Sequence, residues 1–326
     1  MYETNQTSAP FLTDFARNVD VTTLFDLASI TKPIATTTMA MILHDRGLLE
    51  LDATIAGTLP EFLQGTSDPR RHDVTFRMLL AHSSGLPAYE KLFLKAHSRD
   101  ALLQAAFGTP LTADPGTRAE YSDIGFILLG VALERLAEES LDIFCQREMF
   151  GPIGVLSTTF NPPAELRAKI PPTADERSGS SHSTFRNRII QGEVQDENAF
   201  VLGGVAAHAG LFSSAEDVAR FAHAMLAGTP IIRRETIALF TRLESNPAGT
   251  TRTLGWDTPS NPSQSGKHFG PNSYGHLGYT GTSLWIDPDR QLCITLLTNR
   301  TWPDCANQAI KQVRPKFHDA IIEALG

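Results

Sequence analysis

The chain has 326 residues, 41% hydrophobic and 20% charged, a balance that fits a globular protein able to bury one large core or two interleaved ones. A formal net charge of −8 argues against nucleic acid or an anionic membrane as the main partner, since both need basic patches. No run approaches eighteen uninterrupted apolar residues, so no helix here is expected to span a bilayer.

The opening, MYETNQTSAPF, lacks a basic stretch followed by an apolar one, so no signal peptide is visible. As it stands the chain reads as cytoplasmic; a periplasmic or secreted location follows only if its start is missing. The three cysteines, Cys145, Cys293 and Cys305, are odd in number and far apart, without C-x-x-C or Cys/His ligand spacing. A disulfide framework and a zinc site are therefore not expected, and the three read as buried thiols.

In chain order, Ser29 to Asp45 predicts a helix that is apolar nearly all round, which places it in the interior. Pro33 falls in its first turn, where a missing N–H costs little, and Gly47 stands where its C-terminus would want a glycine. A second helix is predicted over Asp123 to Glu138, with Ser122 or Asp123 as N-cap. From about 161 to 204 the sequence is irregular and rich in Pro, Ser and charge, which suggests a functional wall or lid, or a floppy insertion. A third helix is predicted over Ala215 to Ala227 after Ser213-Ser214. A hairpin follows, Thr282 to Ile286 and Gln291 to Thr298 across Asp287-Pro288-Asp289-Arg290, and then a closing amphipathic helix from Gln308 to Leu325. There is no internal repeat.

The expected architecture is α/β (α+β): an antiparallel sheet flanked by helices, assembled from residues 1–55 and 205–326, with a mainly helical domain inserted at 56–204.

Chemistry concentrates in three places. In Ser29-Ile30-Thr31-Lys32 the first and last residues share a helix face, so the Lys32 amine can reach the Ser29 hydroxyl. Burial would lower the pKa of that lysine, and the helix start offers N–H groups to an oxyanion, which completes a nucleophile module. The bland alternative is a capping serine beside an unrelated lysine.

Next comes Tyr121-Ser122-Asp123, after the turn Asp114-Pro115-Gly116, where a tyrosine could relay protons or simply pack. Third is Tyr274-Gly275-His276-Leu277-Gly278-Tyr279-Thr280-Gly281, whose glycines would let a ligand lie along a strand edge. The spacing G-x-x-G-x-x-G is not a dinucleotide fingerprint, so no cofactor is expected.

Taken together, LFDLASITKP, AEYSD and YGHLGYTGTSLWIDP resemble the three motifs of class C β-lactamases and related family VIII-type esterases and D,D-peptidases: S-x-x-K, Y-x-N, and K-T-G in its histidine form. VTFRMLLAHSSGLP, GEVQDENA and GVAAHAGLFSSAEDVARF extend the likeness, which runs from about Leu24 to the end. The resemblance implies an acyl-enzyme on Ser29, proton transfer by Lys32 and Tyr121, and an oxyanion hole from the backbone N–H groups of Ser29 and Tyr279. It places Asp123 beside Lys32 and makes His276 and Gly278 part of the substrate wall, with His276 polar and sometimes cationic.

Departures from the pattern carry further expectations. The family normally has a helix and two strands before the S-x-x-K helix, and too few residues precede Ser29 to hold them, so a bare sheet edge prone to pairing with another chain, which would give a homo-oligomer, is expected. Leu277 replaces the usual threonine and cannot donate a hydrogen bond to a substrate carboxylate, which favours esters over β-lactams. Asp123 replaces asparagine, and its charge would favour a protonated Lys32, leaving more of the proton transfer to Tyr121.

Gln195 stands where a related subgroup has histidine, so no metal is expected. His82 and His208 read as structural, and Ser283 as a strand serine without a base at hand. The expected activity is thus a serine carboxylesterase acting on a small ester or amide. The alternatives are a β-lactamase or D,D-carboxypeptidase with the same site, or a non-catalytic binder of peptidoglycan or acyl ligands.

Overall fold

The fold is known from a computed structural model, which describes residues 18–177, 183–303 and 305–326; residues 1–17 of the first predicted segment and 178–182 of the irregular one lie outside it. The helix after Ser29 is not one regular α-helix. A 3-10 turn over Ala28–Ile30 leads into a wider π-type stretch over Lys32–Thr37 and then an α-helix over Thr38–Asp45. Pro33 brings no N–H to the ladder, and the Thr38 hydroxyl donates to the Pro33 carbonyl at 3.1 Å, competing with backbone for that acceptor. Residues 30 to 43 are all buried, as an all-round apolar helix requires, and Gly47 ends the run with φ +70°.

Beside it runs the helix Asp123–Ala137, started by Ser122, whose Oγ accepts the Gly125 N–H at 2.9 Å. Ser214 caps the helix Ala215–Ala227 in the same way, accepting from Asp217 at 3.2 Å. These three helices and the C-terminal strands enclose the main apolar core.

Two small sheets matter for the site. Phe25–Asp26 pairs antiparallel with Leu211–Ser213, which also pairs with Thr159–Phe160. The second sheet has the order Tyr274–Leu277, Ser283–Asp287, Leu292–Leu296, all antiparallel, with His276 opposite Leu284 and Trp285 opposite Ile294. The closing helix Ile310–Leu325 packs on its far face around Trp285, Ile294 and Ile322. Among the described residues no helix is long and apolar enough to cross a membrane.

Among its described residues the irregular segment holds short elements, Ala164–Arg167, the paired Ala174–Asp175 and Ile189–Ile190, and the helix Glu197–Val201. A buried ion pair, Arg186 to Glu176 at 2.7 Å, fixes it; Arg186 also donates to the carbonyls of Val194 and Gln195. It is thus a braced wall.

Of the cysteines, only Cys145 is fully buried, while Cys293 and Cys305 are partly exposed, contrary to the expectation for all three.

Candidate active site

The start of the first helix, the 121–123 turn, the 195–197 segment and the His276 strand converge on one cleft of about 550 Å3. At its floor Lys32 is fully buried. Its Nζ lies 3.0 Å from Ser29 Oγ, 2.6 Å from Asp123 Oδ1 and 2.9 Å from the His208 carbonyl.

Three acceptors would saturate an ammonium. In the neutral amine, two hydrogens serve Asp123 and His208 and the lone pair is left facing Ser29 Oγ, as a base requires. Burial pulls the Lys32 amine below the ordinary lysine range, and Asp123, although it pushes the other way, does not restore it.

Tyr121 stands over this pair, with Lys32 Nζ 4.8 Å from its ring centre. Its hydroxyl is buried and makes no well-formed hydrogen bond, although Ser29 and Asp123 lie close enough to act on its proton. Burial, reinforced by Asp123, holds the phenol well above the ordinary tyrosine range. The amine is thus pushed toward its neutral form, opposite to the direction that the charge of Asp123 alone would favour, and the phenol away from its ionised one.

His82 holds the turn, its Nδ1 accepting the Ser122 N–H at 2.9 Å while its ring lies 4.5 Å from that of Tyr121. It is structural, as expected, but it positions the tyrosine directly.

The strand Tyr274–Leu277 brings His276 to within 5.9 Å of Tyr121, ring centre to ring centre. Its Nδ1 lies 2.8 Å from the Leu277 carbonyl, which assigns the proton there and leaves Nε2 bare, buried and unpartnered. Burial, with Lys32 and Arg252 nearby, pushes the imidazole well below the ordinary range, so His276 is a neutral acceptor here rather than a cation.

Two glycines of this region are also required by the protein's own packing. A side chain at Gly278 would fall on Thr282 Oγ1 and the Leu27 carbonyl, and one at Gly275 on the Trp285 ring and the Leu284 carbonyl. Gly278 is bare because the strand passes against the turn that carries Ser29. Thr282 Oγ1 donates to the Leu27 carbonyl at 3.0 Å and Thr280 Oγ1 to the Asp26 carbonyl at 2.7 Å, which fixes that approach. Behind them Arg314 donates to the carbonyls of Gly278, Gly281 and Thr282. Tyr279, at the same turn, also lines the cleft.

Leu277 lines the cleft but also packs against the apolar cluster under the closing helix. Ser283 does have a base at hand, His318 Nε2 at 3.0 Å, contrary to expectation; both are fully buried and neither lines the cleft.

Residues that sequence reasoning passed over complete the walls. Arg252 reaches the cleft because Asp257 pairs with Gly275 on the His276 strand and bridges back to Arg252. Its guanidinium lies 5.6 Å from the Tyr121 ring centre and 3.5 Å from Asp257. Tyr89, Asp196 and Glu197 line the same cleft. His208 Nε2 lies 2.9 Å from Asp196 Oδ1, so His208 ties this wall to the Lys32 site through its own carbonyl. GEVQDENA was the local signal for the acidic wall; no local pattern marks Arg252.

Residues 13–314 match the family model described as Beta-lactamase. The chain is 34% identical over 307 residues to an N-acetylmuramyl-L-alanine amidase of Bacillus subtilis (strain 168), covering 85% of this chain and 68% of that one. It is 34% identical over 303 residues to a putative D-alanyl-D-alanine carboxypeptidase of Escherichia coli (strain K12), covering 85% and 69%. Its fold superposes on a class C beta lactamase from Rhodobacter sphaeroides with a TM-score of 0.69 at 22% identity, covering 95% of this chain and 88% of that one. With a family match over nearly its whole length and relatives that are themselves hydrolases, the chain belongs to the beta-lactamase family of serine hydrolases.

Proposed function

We propose that the protein hydrolyses carboxylic esters through an acyl-enzyme on Ser29. Lys32 takes the Ser29 proton as the oxygen attacks the carbonyl carbon, Tyr121 hands a proton to the departing alcohol, and water then clears the acyl group by the reverse relay. The backbone N–H groups of Ser29 and Tyr279 face the developing oxyanion in this reading. The observation that carries it is the contact of a buried, pKa-lowered Lys32 amine with Ser29 Oγ at 3.0 Å, inside a cleft.

The test is hydrolysis of p-nitrophenyl acetate and butyrate by the wild type and Ser29→Ala, with intact-mass labelling by a fluorophosphonate and mapping of the labelled peptide. Equal rates in the two proteins, or a label elsewhere, sink the reading.

Amide hydrolysis in peptidoglycan fragments is the second reading. It is supported by the likeness to an N-acetylmuramyl-L-alanine amidase and a putative D-alanyl-D-alanine carboxypeptidase and by Arg252, which supplies a cation in the cleft where Leu277 removes a neutral donor. Turnover of nitrocefin or release of free amino acid from muropeptides, faster than ester turnover, would put this reading first.

A further inference from the structure

Groups of opposite charge line the cleft. Arg252 and the neutral His276 stand beside the Tyr121 ring. Asp196 and Glu197 line it at the start of the short helix Glu197–Val201. Lys32 on the floor feels both Asp196 and Arg252.

The acidic wall contains an unfinished group. Glu197 is 4% exposed; Tyr89 and Ser183 lie close enough to act on its carboxyl, but among the described residues its Oε1 makes no well-formed hydrogen bond. A buried carboxyl oxygen without a donor is costly unless something arrives to satisfy it. Burial, with Asp196 next to it, raises Glu197 above the ordinary glutamate range. Burial presses Asp196 the same way, but His208, the Ala199 amide and Lys32 outweigh it and keep that carboxyl low. Two adjoining carboxyls, one with a buried oxygen that lacks a well-formed donor, are a better match to an ammonium than to a single neutral donor.

We infer that Glu197, with Asp196 and Tyr89, forms a subsite for an ammonium group on the acyl part of the substrate, so that the preferred substrates are esters or amides of amino acids with a free amine. The acyl side is assigned because the leaving group must take its proton from Tyr121, on the Arg252 and His276 side. The inference rests on the acyl-Ser29 reading above.

The experiment compares kcat/KM for the methyl esters of alanine and N-acetylalanine, in both enantiomers, across pH 6 to 9. The free-amine ester of one enantiomer is expected to be preferred by about tenfold or more, the size of a charge-assisted hydrogen bond. The preference should fade above pH about 8, where an α-amine loses its proton. In Glu197→Gln the ratio between the two esters is expected to collapse toward one.

Equal wild-type rates for both esters, or a preference that ignores pH or survives Glu197→Gln, overturn the subsite. A second arm keeps the two readings apart: calorimetric titration of Ser29→Ala with alaninamide and N-acetylalaninamide needs no turnover. Tighter binding of the free amine supports the subsite even if Ser29 proves not to be the nucleophile. Equal binding removes it even if p-nitrophenyl acetate is hydrolysed through Ser29.

Discussion

Lys32 Nζ and Asp123 Oδ1 meet at 2.6 Å, a contact between a fully buried amine and a carboxylate that is itself mostly covered. Removing one charge from such a pair leaves the other exposed to the full cost of burial.

In Asp123→Asn the cation loses its partner while burial still opposes it, so the Lys32 pKa is expected to fall further. A base works only when deprotonated, so activity is lost as pH drops through its pKa, and a lower pKa carries activity to lower pH. The acid limb of kcat/KM for p-nitrophenyl acetate should therefore move down by about one unit or more, the scale of a close opposite charge. An unmoved limb would show that Lys32 is not the group titrating there.

Asp26 is expected to act as a positioning residue. It is 2% exposed, and its two carboxyl oxygens accept the N–H of Ala28 at 2.8 Å and of Gln195 at 2.7 Å, while its carbonyl accepts from Thr280. One residue thus joins the nucleophile turn, the acidic wall and the turn after His276. Ala28 needs that bond, because it holds φ +48°, a left-handed conformation that an alanine rarely adopts.

Asp26→Asn cannot accept both bonds, and kcat is expected to fall about 10- to 100-fold with KM changed much less. Burial, opposed by the two amides and Arg186 and assisted by Asp196, raises the Asp26 carboxyl to about 6. Below that pH the wild type also carries a protonated Asp26, so the gap between wild type and variant should narrow as pH falls through 6. A gap constant from pH 5 to 8 would reduce Asp26 to a purely structural role.

The helices and the hairpin were legible because their signals are local. Ser122 and Ser214 cap where a serine should, and the two runs flanking Asp287-Pro288-Asp289-Arg290 pair as a hairpin should. The S-x-x-K spacing was enough to bring Lys32 onto Ser29, since three residues of any tight helical turn suffice. What sequence did not reveal depends on distant chain segments.

The glycines around His276 read as room for a ligand, but the close approach of Leu27 to Gly278 and of Trp285 to Gly275 has no local signal. The fate of Lys32 hung on the sum of burial and Asp123, and a sequence names the charge without giving the burial. Arg252 enters the site only through the pairing of Asp257 with Gly275, a contact between residues with no local signature.

Arg252 gives a prediction of its own. Its nearest charged partner, Asp257, is 3.5 Å away, beyond a good hydrogen bond, and Asp257 already accepts from Thr251 at 2.9 Å. The guanidinium therefore keeps donors for an anion on the leaving-group side. Arg252→Gln is expected to cut kcat/KM about 10- to 100-fold for substrates with a carboxylate on the leaving group, and far less for p-nitrophenyl acetate. Equal losses on both substrates would mean that Arg252 acts through Tyr121 rather than on the ligand.

Gly278 and Gly275 separate two consequences of the same substitution. An added methyl at either collides with backbone, at Leu27 or at Leu284, and overpacking of this kind costs about 1–3 kcal/mol. Both alanine variants should therefore melt at a lower temperature than the wild type. Only Gly278 lies against the turn that presents Ser29, and only Gly278 lines the cleft. Gly278→Ala must push the Tyr279 amide and Ser29 apart, and a displacement near 1 Å at reacting groups costs about 100-fold in rate. Gly275→Ala displaces the Trp285 ring on the sheet instead, so its folded fraction should keep a kcat within about threefold of wild type. The discriminating measurement is kcat per folded molecule at a temperature well below both melting points. Matching kcat values would show that the contact between Gly278 and Leu27 sets the stability of the fold but not the placement of the nucleophile.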